Sequence, residues 1–205
     1  MAAALVIGCG LPVPAAWAGY VVTLQEVGST VVATGSGALD LTGLTPDAGN
    51  FTGEGLVNPS IGFIITGPAS NTSGKSYSGN LNGPNNFGSG TGVIAGGGNG
   101  DLVGLIAPTG SGGHATVYVP TGYVSDTALS DTSTYASSSF STLGVTPGTY
   151  EWTWGAGVDQ NFTVQIGTAV PEGRTTSLVV LGLGLVAVGK LHESRRRHSA
   201  STLRE

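Results

Sequence analysis

Glycine is spread so densely through this chain, 36 of its 205 positions, that its body is a poor substrate for long helices. Each interior glycine costs a helix roughly 0.8–1 kcal/mol relative to alanine, and the background is rich in Ser, Thr and Asn. Short β-branched runs separated by turns are the alternative, and the chain supplies them. "YVVTLQEVGSTVVATG" gives runs at 20–26 and 30–34 around a Gly28-Ser29 turn, which predicts a hairpin. Further strands are expected at 61–66, 101–106, 115–119, 149–154 and 162–166. Residues 67–100, dominated by Gly, Ser and Asn, read as long loops, because scattered apolar residues bury little surface against the entropy of ordering. The predicted class is all-β: an antiparallel β-sandwich with Gly-rich loops, completed by a single C-terminal transmembrane helix.

Charge divides the chain. Residues 19–173 carry ten Asp and Glu against Lys75 alone, a balance of −9, whereas residues 174–205 carry six Lys and Arg against two Glu, a balance of +4. An acidic body does not neutralise phosphates, so nucleic acid is not an expected partner. Residues 1–18 read as a signal peptide: an apolar run reaches Ala16-Trp17-Ala18, an A-x-A site for signal peptidase before Gly19. No Lys or Arg precedes that run, and the expectation is a truncated start. Cys9, the only cysteine, lies within this leader, so the exported domain at 19–168 has no thiol for a disulfide or a metal.

Residues 169–205 form a tail in three parts: a polar motif, an uncharged stretch at 175–189 and a basic end. As a helix, fifteen residues reach roughly 22 Å at 1.5 Å each, short of the ~30 Å hydrocarbon core. Arg174 and Lys190 extend the span by snorkelling to the two interfaces. Lys190, Arg195, Arg196 and Arg197 set the topology by the positive-inside rule, with the acidic domain outside. The motif "VPEG", then an apolar span with repeated Leu-Gly spacing, then an Arg-rich end, resembles the PEP-CTERM sorting signal of Gram-negative bacteria. That resemblance implies recognition and cleavage by an exosortase-type enzyme. Val170, Pro171, Glu172 and Gly173 would form the processing motif, with Gly173 departing from the usual second proline. "GTYEWTWG" at 148–155 is similar to endings found before such tails, which carries the resemblance back to about residue 148.

The resemblance therefore implies Sec export, transient residence in the inner membrane and a final place at the cell surface or in the extracellular matrix. Catalytic arrangements are not found. The exported domain has one histidine, His114, and no G-x-S-x-G elbow. "ASNTSGKS" at 69–76 ends like a phosphate loop but has Ala69 where the first glycine belongs. "GGGNGD" at 96–101 is a single copy of a calcium-binding turn that works in stacked repeats. The expectation is a non-enzyme without cofactor or metal. Tyr150, Trp152 and Trp154 alternate along one strand and so share a face. Core packing is the first reading of that row. Its alternative is a sugar-stacking platform in a carbohydrate-binding module of an exopolysaccharide matrix.

Overall fold

The computed structural model describes residues 19–108 and 115–167, and among them strands dominate in two facing sheets. The first sheet is built on the predicted hairpin, β1 (Tyr20–Val27) and β2 (Thr30–Gly37), whose register runs from Val27↔Thr30 to Tyr20↔Gly37. Beyond β2 lies β12 (Leu129–Ala136), followed by β9 (Gly97–Gly100) at the edge. On the other flank β1 pairs with β14 (Asn161–Ile166), and β14 with β13 (Gly148–Thr153). The β1–β14 pair is parallel, from Tyr20↔Phe162 to Leu24↔Ile166, in an otherwise antiparallel sheet.

The second sheet contains β3 (Thr45–Pro46), β7 (Thr72–Gly79), β11 (Ala115–Pro120), β10 (Val103–Ile106), β6 (Phe63–Thr66), β5 (Leu56–Asn58) and β8 (Val93–Ile94), in that order. β4 (Phe51–Gly53) also pairs with β7. All the recorded pairings in this sheet are antiparallel.

Alternation along the strands makes the core. β11 buries Ala115, Val117 and Val119 and turns Thr116 and Tyr118 outward, the period of two that a half-buried strand shows. Val22 and Leu24 from β1, Ile64 from β6, Leu105 from β10, and Phe162 and Val164 from β14 join the same buried cluster, so one core fills the space between the sheets. A single helical turn, α1 (Phe140–Leu143), closes over it with buried Phe140 and Leu143. Ser139 and Thr142 cap its start reciprocally, and the Glu26 carboxylate accepts the Phe140 N–H.

The expectation of long loops across 67–100 is corrected: that stretch holds β7, β8 and β9. Glycine there serves close approach of backbones. A Cβ on Gly98 would lie 2.1 Å from the Gly67 carbonyl oxygen, so the edge strand beside β12 admits no side chain at that position. The strand expected at 101–106 begins only at Val103, and that expected at 61–66 at Phe63, after a 3₁₀ turn at Pro59–Ile61. Among the described residues no helix is long and apolar enough to cross a membrane. The predicted span at 175–189, the leader and the sorting motif lie outside the described residues.

Candidate functional sites on the sandwich

The aromatic row does not form an open platform. β13 pairs Tyr150 with Val164 and Trp152 with Phe162 on the neighbouring strand. Trp152 is fully buried, its Nε1–H donating to the Pro84 carbonyl at 2.7 Å and its ring set edge-on to Phe87. A sugar has no access to it, which corrects its candidacy for stacking: an indole packed against Phe87 and Pro84 gains more from burial than an exposed one would. Tyr150 is half-buried against Phe87 and donates its hydroxyl to the Thr146 carbonyl at 3.0 Å. Trp154, one residue past the strand, is half-buried and donates Nε1–H to the Asp40 carbonyl at 2.7 Å.

That last bond is part of a weave of loops at the end of the sheet where β1 begins. The Asp40 N–H donates to the Asp159 carbonyl at 2.9 Å, and the Gln160 side-chain amide donates to the Thr42 carbonyl at 2.9 Å. Within the β13–β14 loop, Gly157 N–H donates to the Gln160 side chain and the Asn161 amide donates to the Val158 carbonyl. Tyr123 ties in a third loop, its hydroxyl accepting from Leu39 N–H and lying 2.9 Å from the Thr127 carbonyl, to which it can donate. Burial, followed by the charges of Asp126 and Asp159, raises the pKa of that hydroxyl. Asp40 is held below the ordinary carboxylate range by hydrogen bonds from the hydroxyl and the N–H of Thr42. Within this weave Gly19 N–H donates to Asp159 Oδ1 at 2.8 Å.

A second polar group sits inside the core, where sequence reading placed none. Asp131 of β12 is 4% exposed and accepts the Tyr20 hydroxyl on Oδ2, while its Oδ1 has no partner. Burial pushes its pKa up to about 6, against the opposing hydrogen bond from Tyr20. Gly35 opposes Asp131 across the strand pair, and a Cβ there would lie 2.1 Å from the Tyr20 hydroxyl. Two positions along β12, Ser133 bridges to the neighbouring sheet: its hydroxyl donates to the Gly67 carbonyl and accepts the Gly67 N–H, both at 3.0 Å. Tyr135, on the same face, leaves its hydroxyl unpartnered, and burial raises its pKa. The enclosure offers no route for a substrate, so this group acts on the fold. The signal for it was the alternation of Leu129, Asp131, Ser133 and Tyr135 in "LSDTSTYA", a strand the sequence reading did not pick out.

The outer face of the second sheet carries the open aromatic surface. Phe51, Phe63 and Tyr118 come together from β4, β6 and β11, with the Phe51 and Tyr118 ring centroids 4.8 Å apart and those of Phe63 and Tyr118 5.9 Å apart. They line a groove of about 330 Å³ bordered by Thr52, Glu54 and Asn71. Burial, with the Asp47 charge second, raises the Tyr118 hydroxyl pKa. Sequence reading missed this cluster because its three rings are scattered over 68 positions and meet only through strand order.

The rejected motifs resolve into ordinary structure. The phosphate-loop-like segment contributes β7, where Lys75 donates to the carbonyls of Asp47 and Gly49. Asp101, in the calcium-turn-like segment, accepts the Ser130 N–H at 2.9 Å. Among the described residues no three His, Cys, Asp or Glu side chains gather to hold a metal ion. His114, Val170, Pro171, Glu172, Gly173, Lys190, Arg195, Arg196 and Arg197 lie outside the described residues. Comparison with protein-family models, with curated proteins and with solved structures found no match.

Proposed function

We propose that this chain is a non-catalytic exported protein of the bacterial cell surface or extracellular matrix. The general export machinery delivers it, signal peptidase removes its leader, and the tail at 175–189 holds it in the inner membrane until an exosortase-type enzyme acts near Val170–Gly173. The observation that carries this reading is the three-part tail, which begins just beyond a sandwich whose last strand ends at Ile166. The strands, from Tyr20 to Ile166, occupy the interval left between the two sorting segments. Deleting residues 177–189 is expected to move the protein from the membrane fraction to the soluble exported fraction. Unchanged fractionation would refute the anchor.

The groove on the second sheet favours a second reading, carbohydrate binding in an exopolysaccharide matrix. Aromatic rings offer flat apolar surface to a sugar, and Glu54, Asn71 and Thr52 offer hydrogen-bonding groups to its hydroxyls. On this reading, binding on a glycan array disappears in Tyr118→Ala with the fold intact by circular dichroism, and persists in Trp154→Ala. Absence of binding on any array returns the protein to a structural role.

A further inference from the structure

The Gly19 nitrogen occupies a site shaped around the start of the chain's first strand. Gly19 is buried, and its N–H points at Asp159 Oδ1, 140 positions away in sequence. Its φ of +90° is one that L side chains rarely adopt, and a Cβ would lie 2.1 Å from Asn161 Oδ1. The Gly19 carbonyl is equally confined: a Cβ on Gly37, at the end of β2, would come within 2.1 Å of it. Asp159 is fixed in turn by the Asp40, Gln160 and Asn161 bonds that brace its loop. Around this point the charge is one-sided. Asp159 and Asp126 both act on Tyr123, and Lys75, the only Lys or Arg in residues 19–173, lies on β7 of the other sheet and is bonded to carbonyls of the β3–β4 loop.

We propose that this site is a socket for a free α-ammonium, completed when the Ala18–Gly19 peptide bond is hydrolysed. The proposal rests on the export reading above. Water adds across the bond: the C–N bond breaks, Ala18 leaves as a carboxylate, and the Gly19 nitrogen takes up protons to become an ammonium at neutral pH. A neutral amide donor facing Asp159 thereby becomes a cation, and a plain hydrogen bond becomes a charge-assisted one. Removal of the leader then does more than trim the chain. It supplies the acidic pole with the cation its side chains lack, and ties the start of β1 to the β13–β14 loop.

The test uses the chain from Gly19 to Glu205, tail included, in detergent micelles, freed from a fusion partner by cleavage immediately before Gly19. A matched chain retains Ala18. Asp159→Asn is made in both. In the Gly19-start chain the substitution is expected to lower Tm by about 3–5 °C, and in the Ala18-start chain by at most about 1 °C. Independently of any variant, the α-amine of the unmodified Gly19-start chain, followed by ¹⁵N NMR, should titrate about one unit above its usual ~8. Equal Tm losses in both chains, together with an ordinary amine pKa, would overturn the socket. Sequencing the N-terminus of protein from the native host separates the two ideas: a start other than Gly19 overturns the processing reading, whatever the amine does in vitro.

Discussion

Replacing Asp131 with Asn should stabilise this protein at neutral pH and leave it nearly unchanged in acid. In the fold the carboxyl titrates at about 6, displaced upward chiefly by burial, whereas in the unfolded chain it titrates near ~3.9. The folded state therefore holds the proton more tightly than the unfolded state between those two values. Its stabilising contribution is complete below about pH 4 and disappears as the pH rises through about 6, so that the ionised core acid costs about 3 kcal/mol, two units at ~1.4 each. The groups facing it set that cost. Tyr20 donates to one oxygen and so favours the anion, and the Asp101 charge opposes it. Asn keeps the acceptor for Tyr20, fits the same space and carries no charge. The assay is urea denaturation of wild type and Asp131→Asn at steps from about pH 4 to about pH 8, taking the difference in unfolding free energy so that exposed carboxylates cancel. That difference should rise toward about 3 kcal/mol in favour of Asn, with its midpoint near pH 5, between the two pKa values, and level off above about pH 6. A difference flat across the whole range would refute the burial argument.

Trp152→Ala should cost about 3–5 kcal/mol by the cavity it opens and by leaving the Pro84 carbonyl without its donor, read as a lowered urea midpoint. Gly35→Ala should destabilise by about 1–3 kcal/mol, since its methyl group collides with the Tyr20 hydroxyl and Asp131. In the double variant Gly35→Ala, Asp131→Asn, part of that loss should persist, measured as a cycle of denaturation midpoints, because the clash with Tyr20 survives.

What the sequence reveals about this fold depends on how local each determinant is. The Gly28-Ser29 hairpin and the β11, β13 and β14 strands are readable because β-branched and aromatic residues alternate within a few positions. β7 and β9 are not, since "TSGKSYSG" and "GGNG" carry almost no hydrophobic signal and are strands because of what lies beside them. A polar run laid beside other strands, β7 between β11 and the β3 and β4 strands and β9 along β12, gains its ladder hydrogen bonds from tertiary context, which outweighs its own weak propensity. The aromatic row was visible as a row, but its burial depended on Phe87 and Pro84, which the order of the chain gives no reason to place there. The groove of Phe51, Phe63 and Tyr118 was invisible for the same reason.

The parallel pairing of β1 with β14 links the fold to the proposed itinerary. It joins residues 20–24 to residues 162–166, so the first sheet is incomplete until nearly all of the domain has been synthesised. Contacts of such long sequence separation demand loop closure before they are rewarded, which slows folding. Because the two strands run in the same direction, Gly19 lies at one end of the pair and Gly167 at the other. On the proposed reading, cleavage before Gly19 frees the end of this strand pair at which the Gly19 nitrogen meets Asp159 Oδ1.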